Sequence, residues 1–105
     1  MTIDRLAAMR AMVAKQPDNP LARFGLANEL LKAGVHAEAE TELAAYLAVY
    51  DDEGSGWLRY ADVLYALGRL EHARDAVHKG IAAAQRFAHV ALVNDLQSRL
   101  DDWDT

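Results

Sequence analysis

Oxygen-bearing side chains fall at the first, third and fifth places of the stretch DDEGSGWLRYAD, at Asp51, Glu53 and Ser55. Gly56 takes the sixth place, Leu58 the eighth and Asp62 the twelfth. That order suits calcium, a hard cation that needs a ring of oxygens and a glycine for the sharp turn. Two features oppose it. The twelfth place wants a bidentate glutamate, and Asp62 is one methylene shorter; Glu53 fits the third place poorly. The stretch is read as a solvated acidic linker, and no metal site is expected.

The remaining reactive groups are scattered. A helical metal pair needs histidines three or four apart. His72 and His78 are six apart and point to different faces, and His36 and His89 lie elsewhere. His78 follows Asp75 by three residues, but no hydroxyl is close in sequence for such a dyad to activate. The hydroxyls are Ser55, Ser98, Thr2, Thr41 and Thr105, cysteine is absent, and there is no glycine-rich phosphate loop. Glu38, Glu40 and Glu42 read as a solvated helix face. No catalytic residue and no cofactor are expected, and the chain is read as non-enzymatic.

Composition narrows the class. The 105 residues suffice for one domain, and 52% are hydrophobic, with alanine prominent, which suits close packing between helices. The net charge of −5 comes without a basic stripe, so nucleic acid is not an expected partner. Lack of cysteine rules out disulfides and thiolate zinc sites and fits a cytoplasmic protein. The opening MTIDRLAAMRAMVAKQ carries Asp4, Arg5, Arg10 and Lys15 among its apolar residues. It holds no apolar run long enough for a signal peptide or a membrane span.

Helical periodicity runs through every substantial segment, and no strand is expected. Ile3, Leu6, Met9 and Val13 share one face of a first helix that ends before Pro17. Asn19 is a cap for the second helix and Pro20 suits its first position, with Leu26, Leu30 and Ala33 on one face and Gly34 as its stop. Ala39, Leu43, Tyr46 and Leu47 point inward on a third helix. Trp57, Tyr60, Ala61 and Leu64 do so on a fourth, which Gly68 ends. A fifth covers EHARDAVHKGIAAAQ, and a sixth carries Leu92, Leu96, Leu100 and Trp103 near one stripe.

Slid along itself by 34 residues, the chain pairs Ala27 with Ala61, Leu30 with Leu64, Gly34 with Gly68, Ala39 with Ala73 and Ala48 with Ala82. Leu43/Val77, Leu47/Ile81 and Leu26/Tyr60 are apolar in both copies. The second copy, with Trp57, Tyr60-Ala61, Leu64, Gly68, Ala73, Val77 and Gly80, resembles the tetratricopeptide repeat, a helix-turn-helix unit. The first copy matches through Leu26-Ala27, Leu30, Gly34, Ala39 and Leu43, but has Arg23 in place of the aromatic and Tyr46 in place of a small residue. The resemblance implies an all-α fold of about six helices, antiparallel pairs in a right-handed superhelical stack. It forms a single domain over 1–105: a half-repeat helix (1–16), two repeats (20–53 and 54–87) and a capping helix (88–103).

The resemblance also implies a function. First helices of each pair line a concave groove that holds a partner's peptide or protein segment. The matching positions are Phe24, Asn28 and Leu31 in the first copy, and Leu58, Arg59, Asp62 and Tyr65 in the second. Asn28 can bond a peptide backbone both ways, and Arg59 can grip a carboxylate. The family's carboxylate clamp is not matched, since Phe24 stands at its lysine and Arg59 at its second asparagine. Gly25, mid-helix, suits close approach of a ligand. The alternative is self-assembly, a homodimer formed by stacking the end helix around Leu92, Leu96 and Trp103 on a second copy. Membrane partners are not expected.

Overall fold

A computed structural model describes residues 2–104, with side chains from Arg5 onward. The side chain of Ile3, expected on the inward face of the first helix, lies outside the described residues. Six helices are present: α1 (Thr2–Lys15), α2 (Pro20–Lys32), α3 (His36–Val49), α4 (Ser55–Ala66), α5 (Leu70–Arg86) and α6 (Val90–Trp103). No strand occurs among the described residues, so the fold is all-α as the periodicity requires. The ends of α2 and α4 are 34 residues apart, as are the starts of α3 and α5. No described helix is long and apolar enough to cross a membrane.

Local chemistry sets the helix ends. The Asn19 Oδ1 accepts from the amides of Leu21 at 3.0 Å and Ala22 at 3.3 Å, with Pro20 at the first helical position. At the other end of α2, Gly34 takes a φ of 76°, and Val35 N–H donates to the Leu30 carbonyl. Gly68 (φ 81°) ends α4 in the same way, with Arg69 N–H on the Leu64 carbonyl. This left-handed closure leaves no side-chain cap on α3 or α5, whose start positions are Val35 and Arg69.

The chain divides into two compact units, Met1–Tyr50 and Asp51–Thr105. In the first, α2 packs on α1 and α3. Leu6, Val13, Leu26, Ala27, Leu30, Ala39, Leu43 and Tyr46 are buried, and Ala33, expected on the inner face of α2, is exposed at its C-cap. Arginines tie the helices along their edges: Arg5 to Glu29 at 2.9 Å, Arg10 to both carboxylate oxygens of Glu38, and Arg23 to Glu42 at 2.9 Å. Glu38 and Glu42 are therefore engaged in the fold, a correction to the solvated-face expectation. Arg23, standing where an aromatic was expected, also donates to the Pro17 carbonyl at 3.0 Å. Among the described residues, a Cβ on Gly25 would meet only the Met9 methyl, at 3.3 Å, so the space beside this glycine belongs to α1.

In the second unit α5 packs on α4 and α6. The core joins Ala61 and Leu64 of α4, Ala73, Ala76, Val77 and Ala84 of α5, and Leu92, Leu96 and Leu100 of α6. Gly80 lies at the closest approach: a Cβ there would stand 2.9 Å from the Cβ of Trp57 and 3.1 Å from Leu96. Leu92 and Leu96, expected to be able to stack on a second copy, are buried in this core. The outer residues of α6 are Val90, Ala91, Asn94, Asp95, Gln97, Ser98, Asp101 and Asp102, mostly polar.

The α5–α6 turn closes like the other two, with His89 N–H on the Ala84 carbonyl at 2.8 Å, but its left-handed residue is Ala88 at φ 56°. An L-residue is strained there by about 1–2 kcal/mol. Ala88→Gly is expected to raise unfolding stability by about 1 kcal/mol at micromolar protein, and Gly68→Ala to lower it by a similar amount. Denaturant titration checks both, and a loss of stability in Ala88→Gly would contradict the strain.

Candidate functional site

The acidic linker, expected to be solvated, is instead built into the second unit, because its carboxylates accept the amides at the start of α4. Asp52 is 3% exposed, and its Oδ1 accepts from the amides of Gly54 at 2.7 Å and Gly56 at 2.8 Å, holding the start of α4. Glu53 accepts from the Ser55 amide at 3.2 Å and from the Ser55 hydroxyl, and its other oxygen meets His89 Nδ1 at 3.1 Å. Asp51 receives Arg86 at 2.6 Å. The carboxylates thus turn to separate partners, and Asp62 turns to Arg99. Among the described residues no group of three or more metal-binding side chains is gathered.

The three positions of α2 expected in the groove meet different surroundings. Phe24 stacks on Tyr46 at 4.6 Å between ring centres, and Tyr46 stacks in turn on Tyr50 at 5.2 Å. Tyr46, standing where a small residue was expected, therefore serves as the middle of an aromatic ladder. Leu31 is half-buried. Asn28 is also half-buried, and its Oδ1 is sealed from solvent with no hydrogen-bond partner among the described residues.

On α4 the four positions are engaged within their own unit. Leu58 packs against the core. Arg59 donates to the Ser55 carbonyl at 3.3 Å. Asp62 holds Arg99 of α6 by two bonds, at 2.8 and 3.1 Å. This fork raises the Arg99 pKa above its ordinary value. Tyr65 lies flat on Trp103, 4.6 Å away with ring planes 6° apart. Trp103, expected to stack on a second copy, thus stacks on α4 of its own unit, and Arg99, one helical turn before it, is the partner that sequence reasoning missed, because α6 has no clear alignment to either repeat.

A separate cleft of 150 Å³ opens between α4 and α5, lined by Trp57, Tyr60, Leu64, His72, Asp75 and Lys79 among others. Lys79 Nζ sits 5.5 Å from the Trp57 ring centre, within cation–π range. The cleft brings His72 and Asp75 together without a serine or threonine in its lining. Compared with protein-family models, curated proteins and solved structures, the chain finds no match.

Two hydrogen-bonded glutamates make the fold sensitive to acid. The Arg10 hydrogen bond holds Glu38 below the ordinary 4.5. Burial pushes Glu53 up, but hydrogen bonds from Ser55 and His89 outweigh it and leave the carboxyl below 4.5. A depressed carboxylate contributes stability above its unfolded pKa and loses it as pH falls through the folded value. The double variant Glu38→Gln, Glu53→Gln should therefore lose less stability than wild type between about pH 5 and pH 3. Denaturant midpoints across that window check this, and parallel decline in both proteins would contradict it.

Proposed function

We propose that the chain is a non-enzymatic protein-interaction module. On this reading it is a small tetratricopeptide-like repeat protein of the cytoplasm that holds a peptide segment of a partner protein at its groove positions. The 34-residue register of helix boundaries supports the repeat reading. Phe24, Asn28 and Leu31 form the contact face of α2. Leu58, Arg59, Asp62 and Tyr65 are the matching positions of α4, and the contacts of Asp62 and Tyr65 with α6 fix the geometry in which those two would meet a ligand.

Asn28 carries the proposal. An acceptor left unmet costs roughly 1–3 kcal/mol, and the Asn28 Oδ1 accepts no hydrogen bond from the described residues. Leucine at this position would remove that cost. A polar group retained against stability, on the helix face that bears Phe24 and Leu31, is a mark of a group kept for binding. Rotated about its χ angles, the amide offers a donor and an acceptor to an extended peptide backbone.

The test is Asn28→Leu beside wild type, with unfolding followed by denaturant and partner capture read by mass spectrometry from a lysate of the source organism. The expected result is stability kept or raised by about 1 kcal/mol, with loss of a partner that wild type holds. Lowered stability with capture unchanged would assign the amide to the fold and overturn the reading.

A further inference from the structure

The α5–α6 turn differs from the chain's other helix connections in what it lacks. Pro17 and Pro20 punctuate the approach to α2, Gly34 and Gly68 close the turns before α3 and α5, and Gly54 precedes α4. From Ile81 to Thr105 there is neither glycine nor proline. The turn rests on Ala88, held at φ 56°, a conformation an alanine keeps only under strain. The surrounding residues, QRFAHVAL, have nothing in them to stop a helix from running straight through. Phe87 and Val90 flank the strained residue and are 50% and 69% exposed. In an uninterrupted helix they would share one face.

The contacts that hold α6 are specific. Leu92 lies over Gly54 and Leu96 over Gly80. Arg99 forks onto Asp62, and Trp103 stacks on Tyr65. With Leu92 and Leu96 buried, α6 can engage a second copy through these leucines only by moving as a whole.

We propose that α6 exchanges between two copies of this chain. The turn at 87–89 straightens, α5 and α6 become one helix over 70–103, and each α6 docks on α4 and α5 of the other copy. Exchange recreates the leucine contacts, the arginine fork and the ring stack between copies, so the balance is set at the hinge. Release of Ala88 in both copies favours the dimer. So does burial of Phe87 and Val90 where the straightened hinges face each other. The His89–Glu53 pair, made within the closed turn, and the lost freedom of association favour the monomer. The dimer therefore gains with protein concentration and on refolding from denaturant at high concentration.

Light scattering after size exclusion tests this on the full chain. Wild type is expected to shift from monomer to dimer as it is concentrated towards about 1 mM, and Ala88→Gly to weaken that association on the order of tenfold per hinge. The single variants Asp62→Arg and Arg99→Asp each set like charges together in a closed monomer. Refolded together, they are expected to form a one-to-one heterodimer, because only exchange pairs every arginine with an aspartate. Three results would each overturn the proposal: a wild type that stays monomeric, a dimer indifferent to Ala88→Gly, or a mixture with no preference for the heterodimer. Ala88→Gly relaxes the fold, so its arm reads out even where a charge variant folds poorly.

Discussion

How near three helix backbones can come at Gly80 governs the second unit. A methyl group there would press on the Trp57 Cβ at 2.9 Å and on both Leu96 methyls at 3.1 and 3.2 Å. Gly54 extends the same constraint to the linker, since its Cβ would stand 2.8 Å from Leu92 and 3.1 Å from the Gly80 carbonyl. Linker, α4, α5 and α6 thus meet over two residues without side chains. Much follows from that approach. Asp52 is carried inside and must find amides to accept from, because a buried carboxylate without partners is costly. Glu53 and Asp51 come within reach of His89 and Arg86. At the far ends of the helices, Arg99 and Trp103 arrive over Asp62 and Tyr65.

The first unit meets the same sequence pattern with different physics. Tyr46 occupies a position where a small residue would allow close crossing, and it lies flat between Phe24 and Tyr50. Arg23 replaces an aromatic and spans α2 and α3 through Glu42. Here the helices are joined by rings and charge pairs at their edges. A 34-residue register can therefore persist while the means of packing changes, because periodicity fixes which faces turn inward but not what fills them.

That difference also explains what was legible in the sequence. The helices, the Asn19 cap and the left-handed stops at Gly34 and Gly68 are local features, written within a few residues of where they act. The linker acids were read as solvated, yet Asp52 is buried and Asp51 and Glu53 turn to Arg86 and His89 of the same unit. Partners far apart in sequence were not legible: Asp62 with Arg99 and Glu42 with Arg23 depend on how helices are placed in three dimensions. Leu58 was placed in the groove by its match to the repeat, yet it packs against the core. The left-handed Ala88 had no signal at all, since the residue that would announce such a turn is glycine. Asn28 was singled out through the resemblance to the repeat, but its unmet oxygen could not be read from the sequence.

The most direct test of this account is the sign of the change in Gly80→Ala. Helix propensity alone favours alanine in mid-helix by roughly 0.8–1 kcal/mol. Close approach of α4 and α6 predicts the opposite, a net loss, since overpacking typically costs about 1–3 kcal/mol. Denaturant unfolding gives the sign, and amide exchange locates it. The account predicts lowered stability with protection lost across α4, α5 and α6 and kept in α2 and α3. A variant as stable as wild type, or more so, would contradict it.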